Sequence, residues 1–77
     1  MNNERRERLR GALRKLNDVH SIVNVVCDKE EDCLDNYPEN LQGTERYDRT
    51  EAAVDSLNDA LEKLDEVTEC IQNAISQ

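Results

Sequence analysis

The sequence predicts an all-α fold: a two-helix antiparallel hairpin, coiled-coil-like, with two hairpins expected to pair into a four-helix bundle. Three observations predict it. Across residues 50–75, Val54, Leu57, Leu61, Leu64, Ile71 and Ile75 recur at three- and four-residue steps, which places them on one face of an α-helix. An earlier stretch repeats the pattern with Leu9, Leu13, Leu16, Val23, Cys27 and Leu34. Between the two stretches stand Pro38 and Gly43, the residues that break helices and turn chains.

The first helix is predicted over 3–35. Asn2 or Asn3 can cap it by accepting from a free backbone N–H of the first turn. His20 falls on its apolar face, and Ala12, Val19, Ile22, Val26 and Cys33 widen that face to one side. The run 21–27 is β-branched and competes as a strand. Helix-period sequence flanks it on both sides with no turn residues, so helix is expected, with Val25 alone pointing outward.

A corner is predicted over 36–43. Pro38 suits the first position of a short helical turn, and Gly43 can close the corner in a left-handed conformation. Leu41 is expected to tuck under the corner and seal the core, with Tyr47 just beyond. The second helix is predicted over 44–76, capped by Thr44 or by a capping box of Asp48 with Glu51. Ala53, Ala60, Val67 and Ala74 flank its apolar stripe. Two broad faces imply that each helix touches more than one neighbour.

Charge predicts the orientation. Arginines begin the first helix while Glu30, Glu31, Asp32 and Asp35 end it, against the sense of the helix dipole. The second helix has the same defect, with Arg46 and Arg49 early and Asp65, Glu66 and Glu69 late. Antiparallel packing sets each unfavourable end beside its opposite. The basic stretch Arg5, Arg6, Arg8 and Arg10 is accordingly expected to face Asp59, Glu62, Asp65, Glu66 and Glu69.

Seventy-seven residues, 36% of them hydrophobic and none of them Phe or Trp, make one small domain with little to bury. A partner is expected, most simply a second copy, with Leu9, Leu13, Leu16, Val23, Val54, Leu57, Leu61, Leu64 and Ile71 as the shared core. The net charge of −8 argues against general affinity for nucleic acid or anionic lipid. Three cysteines without disulfide spacing, and no signal or membrane-spanning run, point to a reducing cytoplasm.

The segment Asn36-Tyr37-Pro38-Glu39-Asn40-Leu41-Gln42-Gly43-Thr44-Glu45-Arg46-Tyr47, with Glu51-Ala52-Ala53 and the leucine-spaced helix after it, resembles a known group. These are short helical-hairpin proteins of phages, prophages and other bacterial mobile elements, in which an N-x-PENL-type corner and a downstream RY precede an acidic helix. The resemblance covers about half the chain. It implies a bacterial or phage-infected cytoplasm and carries no catalytic residue with it.

The residues themselves offer little chemistry. Cys27 and Cys33 are six apart with only His20 nearby, which does not make the close ligand pairs of structural zinc, and no cofactor is expected. The acids of 28–35 lack calcium-loop spacing, and the lone Gly11 and Gly43 make no phosphate loop. No enzyme activity is predicted. The leading expectation is a non-enzymatic protein–protein interaction module, self-associating or docking on a larger protein. One alternative is an inhibitor whose rows of carboxylates imitate a phosphate backbone and occupy a basic channel. Another is a small nucleic-acid binder using Arg5, Arg6, Arg8 and Arg10.

Overall fold

A computed structural model describes residues 1–77 as a hairpin of two long helices. Helix α1 runs Asn3–Asp35 and helix α2 runs Glu45–Ser76, with a single 3-10 turn, Glu39–Leu41, between them. The Asn2 side chain accepts from Arg5 N at 2.8 Å, capping α1. Thr44 Oγ1 accepts from Tyr47 N at 3.3 Å, so Thr44 caps α2 from just outside it and the Asp48 box is unused. The β-branched run 21–27 is helical throughout. The molecule is a rod of 59 × 15 × 13 Å.

The corner departs from expectation at two residues. Pro38 stands before the 3-10 turn rather than at its first position. Its ψ of 143° is extended, and its carbonyl accepts from Leu41 N at 2.9 Å. Leu41 is 44% exposed and seals nothing. Tyr37 and Tyr47 fill that end instead, edge to face with ring centroids 5.3 Å apart. Gly43 takes a φ of +86°, the left-handed conformation that the absence of a Cβ permits.

Burial along both helices follows a seven-residue repeat. With heptad positions lettered a to g, α1 places Arg6, Leu13, His20, Cys27 and Leu34 at a, and Leu9, Leu16, Val23 and Glu30 at d. Tyr37 continues the d row just past the helix. Helix α2 places Tyr47, Val54, Leu61, Thr68 and Ile75 at a, and Thr50, Leu57, Leu64 and Ile71 at d. Every one of these residues is buried or half-buried. Only Cys27 and Val54 are buried, so the other expected core residues line the seam but stay half open to solvent. A two-helix seam shields an a or d side chain on one side alone.

The register is set by contacts along the rod. Arg6 lies against Ile75 and Gln77, His20 against Asp65, Cys27 against Asn58, and Tyr37 against Tyr47. The polar cross-helix contacts of the middle come from one side of the seam. Asn58 and Asp65, both at e, reach His20 and Cys27 at a and Glu31 at e. Antiparallel helices that meet along their e columns on one side carry their g columns together on the other.

Candidate functional site

The g side is the feature of interest. Its facing register positions are Ala12 with Ala74, Val19 with Val67, Val26 with Ala60, and Cys33 with Ala53. Beside the g columns run the c columns: Arg8, Lys15, Ile22 and Lys29 on α1, and Arg49, Ser56, Lys63 and Cys70 on α2. The middle of this face is apolar and open to solvent. Ile22 is 65% exposed, Val19 and Val26 are each 44%, and Val67 is 45%.

Charge is sorted by face. Of the ten bases, Arg5, Arg8, Lys15, Lys29, Arg46, Arg49 and Lys63 stand at g or c, all exposed. Of the eighteen acids, none does. Apart from Glu30 in the seam and Glu39 in the corner, every carboxylate is at b, e or f, on the opposite face or the outer edges. Among the seven bases only Arg49 is ion-paired, to Glu45 of its own helix. The molecule thus has a broad face of apolar and basic residues without carboxylates, backed by an acidic one.

Both ends of the face are hollowed. At the open end of the hairpin, Met1, Arg5, Arg8 and Leu9 line a shallow depression. At the corner end, Cys33, Tyr37, Leu41 and Arg46 line part of a second. Each combines an apolar wall with guanidinium groups, and the exposed Leu41 belongs to the second.

The basic stretch predicted from sequence is divided by this geometry. Arg5 and Arg8 belong to the face. Arg6 enters the end of the seam, where its guanidinium donates to the carbonyls of Ile75 at 3.1 Å and Gln77 at 2.9 Å. Those carbonyls lie at the negative end of α2, so the arginine complements the helix dipole. Arg10 turns to the other face and pairs with Glu7. None of the four meets Asp59, Glu62, Asp65, Glu66 or Glu69. The register places the arginines beyond the last of those acids, and the b and f columns point away from α1.

Two residues in the seam carry polar contacts. His20 Nε2 lies 3.2 Å from Asp65 Oδ1. The buried Cys27 thiol reaches Asn58 Oδ1 at 3.5 Å and Glu31 Oε1 at 3.6 Å. Burial first, then the negative charge and hydrogen bond of Glu31 and the charge of Asp28, raise its pKa above the ordinary 9.0. A thiol held protonated in this way is a poor nucleophile and a poor metal ligand. No three His, Cys, Asp or Glu side chains converge on a point where a metal ion could be held. No helix is long and apolar enough to cross a membrane.

The widened apolar arcs are legible by helical projection of the sequence, but their sharing one face and the avoidance of that face by carboxylates are not. Counting in sevens reveals both. No family model, curated protein or solved structure matches the chain.

Proposed function

We propose that the protein is a non-enzymatic protein–protein interaction module that works through its carboxylate-free face. One observation carries the proposal: Val19, Ile22, Val26 and Val67 are exposed together between columns of bases of which only Arg49 is ion-paired, on a chain that places its eighteen acids elsewhere. Scattered exposed valines need no explanation, but an apolar patch sharing one charge sign along its borders marks a docking surface. The half-open leucines of the seam add to the apolar area that a partner would cover. The resemblance of the corner to phage and mobile-element hairpins supports, as part of this reading, a setting in the cytoplasm of a bacterial or infected cell.

A second hairpin on this face would complete the four-helix bundle expected from the sequence; a different protein would use the same surface. Sedimentation equilibrium at micromolar concentration distinguishes them. A doubled mass that returns to a single chain in Val19→Asp supports the bundle. A photo-crosslinking residue at position 22, compared with one at position 24 on the acidic face, tests the module itself. Adducts are expected from 22 alone, and equal yields from both positions would refute it.

The acidic face supports a second reading, an inhibitor that imitates nucleic acid, because its carboxylates are collected on one side of a narrow rod. Displacement of a basic DNA-binding protein from a duplex, abolished by neutralising acids at b and e but not by Val19→Asp, would favour it. Binding of nucleic acid by the chain itself rests on fewer residues than the sequence implied, since Arg6 and Arg10 are engaged elsewhere. Retention on heparin that is lost in Arg5/Arg8→Ala would restore it.

A further inference from the structure

The face also indicates what covers it, given the interaction-module reading on which this step rests. We infer that its occupant is an acidic amphipathic helix of another protein, laid along the furrow between the two g columns to make a three-helix bundle.

The shape suits a helix. Two long helices side by side leave a straight furrow, and alanines at 12, 53, 60 and 74 let a third backbone approach closely. Val19, Ile22, Val26 and Val67 stand in the middle of its length, where an apolar stripe would be buried. The hollows at the two ends supply sockets for further apolar anchors, each beside an arginine.

The charge selects which helix. The c columns border the furrow with Arg8, Lys15 and Lys29 on one side and Arg49 and Lys63 on the other. A helix with an apolar stripe flanked by Glu and Asp would set carboxylates against both borders. A second copy does not offer this combination. Its matching face brings bases toward bases with no acid on either surface, and its opposite face brings acids without an exposed apolar stripe. Like charges brought together at an interface disfavour it. A nucleic-acid backbone would meet the bases but leave the central valines without an apolar contact, and no aromatic ring stands among them for a base to stack on.

The test uses the full chain and two synthetic helical peptides of about four heptads, long enough to span the furrow at roughly 1.5 Å per residue. Both carry the same leucine stripe; one is flanked by Glu, the other by Lys. Titration calorimetry should give one-to-one binding of the Glu peptide, at least about tenfold tighter than the Lys peptide and weakening with salt. Val19→Asp should weaken binding of the Glu peptide about tenfold or more, while Asn24→Asp on the other face leaves it unchanged. The double variant Lys15→Glu/Lys63→Glu should shift preference toward the Lys peptide. Circular dichroism of each variant confirms that the helices persist.

Equal affinity for the two peptides, or none for either, overturns the inference. If the chain instead doubles its mass through the same face, as judged by loss of the dimer in Val19→Asp, the occupant is a second copy; the inference falls and the module reading stands. If the chain neither dimerises nor binds a peptide, and binds phosphatidylserine vesicles or a DNA duplex through Lys15 and Lys63, both fall.

Discussion

The two broad faces of this hairpin are made by the same helices, yet they treat charge in opposite ways. On the e side, Asn58, Asp65 and Glu31 reach across the seam to Cys27, His20 and one another, so polar residues help hold the helices in register. On the g side the register positions hold only Ala, Val, Cys and two arginines, and carboxylates are absent from it and from the bordering c columns. One face is occupied with the molecule's own structure. The other is left open. A net charge of −8 averaged over the chain hides a surface on which every charge is positive.

That contrast can be broken most forcefully by moving one substitution from the seam to the open face. Val54→Asp places a carboxylate at one of the two buried positions and should cost several kcal/mol, about enough to unfold so small a domain. Val67→Asp makes the same chemical change where the side chain is already 45% exposed, and should shift stability by only about 0.5 kcal/mol or less. Thermal melts followed by circular dichroism compare the two. Equal losses would mean that the g side is packed in solution by something the hairpin alone does not contain.

The corner supplies the next effect. Tyr47→Ala removes a half-buried ring and its edge-to-face contact with Tyr37, and should destabilise the hairpin by about 2 kcal/mol in urea titrations. Leu41→Ala, by contrast, deletes a side chain that lies outside the seam and should be close to neutral. If Leu41→Ala costs more than Tyr47→Ala, the corner closes as the sequence suggested and not as the rings indicate.

Helix ends, the corner between them and the seam residues were legible in the sequence because each rests on local rules: three- and four-residue apolar steps, Asn2 and Thr44 as caps, Gly43 at a positive φ. The open face was not, for a reason of counting. Projected at 100° per residue, a straight helix drifts by roughly 20° per heptad against a seven-residue repeat, enough over four or five turns of the pattern to smear neighbouring columns together. Lys15 at c and Asp18 at f then look like one mixed surface. The cross-helix charge pairing expected from sequence is not made for a related reason, since matching arginines to acids by helix end ignores which columns face the seam. Leu41 followed from hydrophobicity alone, and nothing local announces that two tyrosines ten residues apart will take its place.

Glycines give a smaller pair of effects of opposite sign. Gly11 sits at f in mid-helix, where an added Cβ meets only the Arg14 guanidinium at 3.6 Å, so Gly11→Ala should stabilise by about 0.5–1 kcal/mol. Gly43→Ala forces a side chain into φ +86° and should destabilise by about 1 kcal/mol. Since position 11 lies away from the open face, Gly11→Ala should leave peptide binding unchanged and so offers a firmer background for testing that face.

The smallest effect probes the electrostatic side of the contrast through the thiols. Cys33 and Cys70 lie exposed on the open face, at g and c, whereas Cys27 is buried beneath Glu31 and Asn58 on the e side. Alkylation by iodoacetamide at neutral pH should modify Cys33 and Cys70 first, with Cys27 reacting only as the chain unfolds. The raised pKa of Cys27 also fixes the sign of a pH effect. Below its ordinary value of 9.0 the thiol is protonated in both folded and unfolded chains, and its contribution to stability is constant. Above 9.0 the unfolded chain releases the proton while the folded one retains it, so stability should fall as pH rises from there through the elevated folded value. Cys27→Ala, less stable at every pH for the lost packing, should lack this part of the decline. A wild type and variant that lose stability in parallel above pH 9.0 would show that burial in the seam, with Glu31 and Asp28 beside it, does not hold the thiol protonated.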